Sequence, residues 1–416
     1  MTHRIALVAQ NTALPFVFDT AARTGCRITL IVVPGVPVPA GLPAVEQVVG
    51  LDIWGDPASA HAWLEAEHAS RPFDAVITLA EAAVPFTAEA ARRLKLRGID
   101  PEVARICRDK YRQREAMRAA GLDVPGYRLI DSAADLGSQV ADLRFPLVVK
   151  PVNGAHSQGV SRVDDLAGLA AAVDLVRNIN AEQLAAYADA SNGERAGILA
   201  EEFVDGPEYC VESVSSEAGT ELLTITDKGN LQGPYFEERT FITPAPLDPE
   251  TAARITEAVQ AAHRQIGIDF GASHTELRLR ADGTPVLLEI GARMGGSGTV
   301  QYLVETATGI DFLGVVLRQA IHGELPDLHP VRQRFAADWI VPITGHGTYR
   351  GLAGADAVRG HPATGLLLEL MLPGKHVPAW PRFAGYPAFV LSSHASYEDC
   401  HAFHAWLQDT ISAEWD

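Results

Sequence analysis

His274-Thr275-Glu276-Leu277-Arg278-Leu279-Arg280-Ala281-Asp282-Gly283-Thr284-Pro285-Val286-Leu287-Leu288-Glu289-Ile290-Gly291-Ala292-Arg293 carries the sharpest local folding signal in the chain. An Asp-Gly pair between two apolar runs predicts a β-hairpin whose two-residue loop is Asp282-Gly283. Ala281 then opposes Thr284 and, counting back along both strands, Glu276 opposes Glu289. Alternation predicts Leu277, Leu279, Val286, Leu288 and Ile290 on one face, and His274, Glu276, Arg278 and Glu289 on the other. Two carboxylates opposed across a ladder repel unless something neutralises them. A hard divalent cation does so, and Mg²⁺ characteristically takes one or two carboxylates together with substrate phosphates. A plain ion network through Arg278 or Arg293 is the other solution. Arg293 follows the strand in Gly291-Ala292-Arg293-Met294-Gly295-Gly296-Ser297, where small residues leave room for a ligand. A guanidinium there suits an oxyanion or a phosphoryl oxygen.

Upstream, Leu147-Val148-Val149-Lys150-Pro151-Val152-Asn153-Gly154-Ala155-His156-Ser157-Gln158-Gly159-Val160 reads as a strand that delivers a lysine, followed by a glycine-bracketed loop. The two glycines have P-loop spacing, but Val160-Ser161 stands where that motif requires Lys-Ser/Thr and no helix follows directly. What remains is either a loop that folds over phosphates through its backbone N–H groups or an ordinary hairpin with a surface lysine. Glu201-Glu202-Phe203-Val204-Asp205-Gly206-Pro207-Glu208 reads as a strand running into a turn, and alone it fits an edge strand with a solvated acidic end. Lys110, Lys228 and the Glu237-Glu238 pair, each taken alone, read as surface charge.

The chain has 416 residues, a hydrophobic fraction of 47% and a net charge of -18. Such a length predicts two to four domains, and the acidic balance disfavours nucleic acid and anionic membrane surfaces as partners. Four scattered cysteines form no CxxC pair, which fits a reducing cytoplasm. Ile5 to Ala9 is too short for a secretory signal and reads as a first buried strand. Ile28 to Val33, Ala75 to Leu79 and the helical Pro85 to Leu94 continue a parallel β/α pattern. The turn Gln10 to Pro15 lacks the glycines of a dinucleotide fingerprint, which argues against a dehydrogenase. Further on, helices are expected near Pro101, from Leu166 to Ala190, from Pro249 to Ile266 and from Glu398 to Ile411. Strands are expected at Phe145 to Val152, Ile198 to Val204, Ala337 to Val341, Gly365 to Met371 and Ala388 to Leu391. HExxH and GxSxG signatures are absent, so zinc hydrolases and serine hydrolases find no support.

Taken in order, Asp109-Lys110, Lys150 with its glycine loop, Glu201-Glu202-Phe203-Val204, and Glu276/Glu289 followed by Arg293 resemble the ATP-grasp superfamily over about residues 1 to 400. The resemblance implies an α/β fold, α+β in its central part, with an N-terminal Rossmann-like domain (1–108), a central subdomain with a glycine-rich lid (109–204) and a C-terminal subdomain carrying the metal (205–416). It implies that Lys110 and Lys150 contact the phosphates of ATP and that the lid runs from Gly154 through Ser157 to Gly159. Glu201, Glu202, Phe203 and Val204 would line the adenine by backbone hydrogen bonds, and Glu208 would take the ribose. Glu276 and Glu289 would hold Mg²⁺, or Mn²⁺ in its place. Arg293 would steady an acyl phosphate and the tetrahedral species after it, with Lys228 supporting the transferred charge.

Within the superfamily, His274-Thr275-Glu276, Glu289 to Arg293, Ile225-Thr226-Asp227-Lys228 and Gly233-Pro234-Tyr235-Phe236-Glu237-Glu238 are similar to the carboxylate-amine ligases that join amino acids. Gly291 and Phe241 depart from that pattern, standing where such enzymes often carry Asn and His. The resemblance implies ATP-driven amide formation between a carboxylic or amino acid and an amino acid, with release of ADP and phosphate. The setting it implies is peptide natural-product biosynthesis by a cytoplasmic homodimer acting on small molecules. The alternatives are a carboxylase or purine-pathway-type enzyme activating bicarbonate or formate, and a nucleotide-binding protein without chemistry.

Overall fold

The apolar runs of the first eighty residues pair as a parallel sheet, β1 (His3–Val8), β2 (Cys26–Val32), β3 (Val45–Gly50) and β4 (Ala75–Ile77), in the order β3-β2-β1-β4. A computed structural model provides this description, covering residues 2–131, 134–154, 157–186, 197–229, 231, 235–379 and 385–416. Ile5, Ala6, Leu7 and Val8 are fully buried, as expected of a central parallel strand covered on both faces. β3 has no counterpart in the sequence reading because its burial alternates along an edge and leaves no continuous apolar run. The expected helix after β4 is observed at Val84–Arg93.

A second sheet contains β5 (Tyr127–Ile130), β6 (Leu147–Pro151), β7 (Ser161–Val163) and β8 (Ile198–Glu202), ordered β5-β8-β6-β7 with antiparallel pairing. β8 is therefore central, and its reading as an edge strand with a solvated acidic end is overturned: Glu201 is buried between β5 and β6. The helix Leu166–Ala186 covers this sheet, packing Leu169, Val173 and Val176 onto Val149 and Ala200. The expected continuation to Ala190 lies outside the described residues, as do Ala155 and His156 of the glycine loop and Gly233-Pro234.

The remaining strands are β9 (Glu208–Ser216), β10 (Gly219–Gly229), β11 (Thr240–Thr243), β12 (Gly271–Leu279), β13 (Pro285–Gly291), β14 (Phe335–Ile340), β15 (Gly347–Ala353), β16 (Thr364–Glu369), β17 (His376–Val377), β18 (Ala388–His394) and β19 (Ser412–Trp415). Eight of them form one sheet, β13-β12-β9-β10-β11-β14-β18-β16, so the expected tail strands β14, β16 and β18 extend the sheet that holds the acidic hairpin. The helix Pro249–Ile266 spans the expected residues. Asp248 caps it by accepting from Thr251 N–H, and Gly267 ends it at φ +89. Its inner stripe, Ile255, Val259, Ala262 and Ile266, packs on Leu277, Leu279 and Leu287.

The hairpin corrects one expectation and rescues another. Arg280 N–H donates to Thr284 O and Gly283 N–H to Arg280 O, so the loop has three residues, Ala281 to Gly283, with Gly283 at φ +78. Leu279 consequently faces Pro285, one residue out of the predicted register. A bulge between Glu276 and Leu277 then inserts an extra residue in β13, and from there Glu276 faces Glu289 as expected. The bulge also exchanges two leucines: Leu287 enters the core, and Leu288, expected there, lines the cavity described below.

Among the described residues no single helix is long and apolar enough to cross a membrane. Beneath the helix Pro249–Ile266, His263 is wholly buried. Its Nδ1 lies 3.2 Å from Thr220 Oγ1 and its Nε2 3.2 Å from Thr275 Oγ1. Burial lowers its pKa from 6.5 to about 4. The folded imidazole stays neutral where the unfolded one protonates, so its stabilisation is complete above about pH 6.5 and disappears toward pH 4, an effect of roughly 3 kcal/mol. His263→Gln should flatten the acid limb of the stability curve over that window in denaturant titrations; an equally steep limb in the variant would contradict the assignment.

Candidate active site

A cavity of about 410 Å³ runs between the β5–β8 sheet and the large sheet, reaching the segments after β1 and β4 at Asn11, Leu14 and Glu81. Its electrostatics centre on Lys228 of β10. The side chain is 2% exposed, and Nζ lies 2.8 Å from each of Glu208, Glu238 and Glu276. Burial alone would lower the pKa of this ammonium; the three carboxylates outweigh burial and hold it well above its ordinary value. The reading of Lys228 as surface charge is thereby corrected. A lone lysine before a glycine carries no local sign of three acidic partners drawn from β9, β12 and the segment before β11.

Lys110 is buried as well. Asp109 caps the helix Lys110–Ala119, and the lysine extends from the first turn, donating to Glu289 Oε1 at 2.8 Å and Gly154 O at 2.8 Å. Each of the opposed carboxylates thus has its own lysine, Lys228 for Glu276 and Lys110 for Glu289. Arg278 does not satisfy the pair; it holds Glu208 at 3.0 Å and the carbonyls of Val204 and Leu231. Nor does Arg293, whose Nε lies 2.5 Å from Glu81 Oε2 and whose Nη1 donates to Met294 O. Burial, the largest influence, would raise the pKa of Glu276, but Lys228 and His274 bring it well below the ordinary carboxylate range.

Lys150, on β6, is also buried and pairs with Glu201. Burial lowers its pKa despite Glu201, and Arg114 adds to the effect. Arg114 joins the two lobes of the cavity: Nε lies 2.5 Å from Glu201 Oε1 on β8, and Nη2 donates to Leu288 O on β13 at 2.7 Å. Beside it, Gln113 donates to Ile290 O and accepts from Ile290 N–H, satisfying the free edge of β13. Neither residue was legible as part of the site, since their partners lie more than 80 residues away in sequence.

Glu202, Phe203 and Val204 line the cavity, but most of their backbone donors are engaged. Glu202 N–H donates to Gly126 O and Phe203 N–H to Pro146 O. The expectation that the whole segment offers backbone hydrogen bonds to a base narrows to the Val204 N–H, which has no partner among the described residues. Glu201 contributes a buried side chain instead. Gly154 and Ser157 line the cavity, whereas Gly159 does not: at φ +75, a Cβ there would come 2.9 Å from Ile179 Cδ1, so this glycine serves packing under the helix Leu166–Ala186.

Glu81 and Glu212 escaped the sequence reading. Glu81, buried, faces Arg293 and Arg108, and although burial raises its pKa the two guanidiniums hold it down to about 2. Gly291 makes this possible, because a Cβ at that position would come 2.8 Å from Glu81 Oε2. The space that Gly291 leaves is thus taken by the carboxylate of Glu81, which follows β4. Glu212 pairs with His274 Nδ1 and accepts from Gly295 N–H. Its charge raises the imidazole to about 9 against the opposing effect of burial, while His274 Nε2 lies 3.5 Å from Glu276.

The donor set suits a hard cation at Glu276 and Glu289. Both are carboxylates that face one another across the ladder and line the cavity, and their present counter-charges are the ammonium groups of Lys110 and Lys228. The nearby Cys210, Glu212 and His274 lie within 4.8 Å of one another but fit a metal poorly, because burial keeps the thiol protonated and Glu212 keeps the imidazole charged. Replacing Lys228 by Met removes the ammonium shared by three carboxylates, leaving Glu208 to Arg278, Glu276 to His274 and Glu238 without its ion-pair partner. The expected loss is about 3–5 kcal/mol of folding stability, read as a lower denaturant midpoint; an unchanged midpoint would contradict the role given to this ammonium.

Comparison with known proteins places this geometry. The ATP-grasp domain family matches residues 143–301, and the ATP-grasp N-terminal domain family matches residues 18–98. The crystal structure of an L-amino acid ligase from Bacillus licheniformis shares 38% sequence identity and superposes with a TM-score of 0.92, covering 100% of this chain and 99% of that one. An uncharacterized protein of Sinorhizobium fredii is 31% identical over 299 residues, 72% of this chain and 59% of its own length. Alanine–anticapsin ligase of Bacillus subtilis is 28% identical over 272 residues, 61% of this chain and 55% of its own length. The matched region thus spans little more than half the length of these two curated relatives.

Proposed function

The chain belongs to the ATP-grasp family, and from that premise we propose that it is an ATP- and Mg²⁺-dependent carboxylate-amine ligase joining a carboxylic or amino acid to an amino acid through an acyl phosphate. One observation carries the reading: two opposed carboxylates, each capped by its own buried lysine, share a cavity with an arginine held at a strand end by Glu81. A protein that only bound nucleotide would have no use for that arginine beside the acidic pair. Similarity to the L-amino acid ligase supports the substrate class.

In this mechanism Lys150 and Lys110 bind the phosphates, Val204 N–H receives the base, and Glu208, already fixed by Lys228 and Arg278, meets the ribose. Glu276 and Glu289 would hold Mg²⁺, which supplies charge neutralisation at the transferring phosphoryl group. Approach of the nucleotide releases Lys110 from Glu289 toward the phosphates, so a single move exposes one carboxylate and delivers one cation. The substrate carboxylate attacks the γ-phosphorus, ADP leaves, and the acyl phosphate forms. The neutral amine of the second substrate then attacks the acyl carbon, Arg293 stabilises the oxyanion, and the carbon–oxygen bond to phosphate breaks as the departing phosphate takes the proton that the nitrogen loses. Gly154 and Ser157, which line the cavity, would belong to the loop that keeps water from the mixed anhydride.

The sheets support a division at 1–108, 109–204 and 205–416, since each sheet falls within one of these ranges. The homodimer, the cytoplasmic setting, the use of Mn²⁺ in place of Mg²⁺ and a place in peptide antibiotic biosynthesis belong to the same proposal. The test is phosphate release from ATP with pairs of amino acids, with products identified by mass. Turnover should require both an acid and an amine, and Glu289→Gln should lower kcat/KM by about 100-fold or more. Undiminished turnover in that variant, or a product containing bicarbonate carbon, would overturn the reading.

A further inference from the structure

Beyond Lys228 the cavity turns apolar, walled by Phe241, Leu303, Ile340, Leu370 and Phe389. One carboxyl interrupts this wall. Asp338 lies in the middle of β14, opposite Phe241 on β11 and Leu391 on β18, and lines the cavity while only 5% exposed. Its Oδ1 is fully enclosed without a hydrogen-bond partner among the described residues. Every other acidic group discussed for this cavity has a cation: Glu208, Glu238 and Glu276 share Lys228, Glu289 has Lys110, Glu201 has Lys150 and Glu81 has Arg293.

A buried carboxyl without a partner costs several kcal/mol and is rarely left so unless something else completes it. The charge that acts on it is of the same sign: Glu238, fixed by Lys228 at 2.8 Å. Burial and that neighbour hold the Asp338 carboxyl well above the usual carboxylate range in the ligand-free protein. A cationic guest would reverse this and meet a formed ion pair. Its size is limited by the apolar wall, and its position by Lys228, whose Nζ lies 5.5 Å from the Phe241 ring and 2.8 Å from Glu276. Phe241, the cross-strand neighbour of Asp338, thus stands between the site and the ammonium that holds Glu276.

We propose that Asp338 anchors a primary ammonium group of an amino-acid substrate, with the aliphatic part of that substrate against Phe241, Ile340 and Phe389. The proposal rests on the ligase reading for the direction of the reacting end, and it adds a recognition residue that neither the motifs nor the similarity to other ligases identifies. A primary ammonium offers three donors and a full charge to a carboxyl that has neither. The same chemistry is present in an α-ammonium and in the side-chain ammonium of a basic amino acid.

Four six-carbon acids separate these sources: hexanoate, L-norleucine, 6-aminohexanoate and L-lysine. Their affinities are to be measured by titration calorimetry with the full-length protein, Mg²⁺ and a nonhydrolysable ATP analogue, for wild type and Asp338→Asn. In the wild type at least one ammonium-bearing acid should bind about 30-fold or more tightly than hexanoate, and Asp338→Asn should abolish that difference. Collapse for norleucine assigns the α-ammonium, and collapse for 6-aminohexanoate assigns the side-chain ammonium. Affinity for the ATP analogue should stay within about twofold, and the variant should melt no lower than wild type, which excludes a general structural defect. Hexanoate binding as tightly as the others, a difference that survives in the variant, or binding of none of the four would overturn the proposal. Phosphate release by the wild type reports separately on the ligase reading, so catalysis with an unaltered preference in the variant would sink this inference alone.

Discussion

The ammonium of Lys228 is the point on which the site's geometry depends. Three carboxylates from separate stretches of the large sheet and the chain before β11 converge on it, each at 2.8 Å. Without that charge they would repel one another, and β9, β10, β12 and the chain before β11 could not bring acidic groups to one place. Lys228 fixes Glu208 and Glu276, Arg278 reinforces Glu208, and His274 approaches Glu276 with Glu212 behind it. The acidic end of the cavity is a preorganised network of charges, whose desolvation is offset pairwise.

The second constraint is that the cavity's two walls belong to different sheets. Arg114 and Gln113 settle their relative position by reading the β13 backbone from a helix that also presents Lys110 to Glu289. Arg114 reaches across to Glu201, the partner of Lys150, so a single buried guanidinium ties together β13, β8 and β6. The third wall enters through Glu81, which needs the space left by Gly291 to meet Arg293. These ion pairs hold this site in shape, and in the proposed mechanism they exchange partners when the nucleotide binds.

The sequence made the β/α beginning, the helix Pro249–Ile266 and the opposition of Glu276 to Glu289 legible, because each rests on local chemistry: apolar runs, a capping Asp, an Asp-Gly turn. The last of these held through compensation, since a loop one residue longer than expected is corrected by a bulge at Leu288. That bulge has no sequence signature, and the exchange of Leu287 with Leu288 between core and cavity went unseen for this reason. Lys110, Lys228 and Glu201 looked like surface charge because burial of a charged residue is decided by partners distant in sequence. Glu81, Arg114, Glu212 and Asp338 were invisible for the same cause: each acquires its role from a strand it does not adjoin in the chain. The ordered motifs were enough to indicate the family, while the network between them became visible only once the sheets were assembled.

An overall charge of -18 and a site for a polyanion coexist because the local ledger differs from the global one. In the proposed mechanism Lys110 and Lys228 neutralise the carboxylates that the nucleotide's metal would need, so the free protein should bind Mg²⁺ weakly, and metal and nucleotide should bind cooperatively. By linkage, each must raise the affinity of the other by the same factor. Titration calorimetry of Mg²⁺ into the protein, with and without saturating ADP, tests this most directly. The account predicts an affinity at least about tenfold higher with ADP present, and an equal gain for ADP when Mg²⁺ is present; tight Mg²⁺ binding to the free protein, unaltered by ADP, would contradict it.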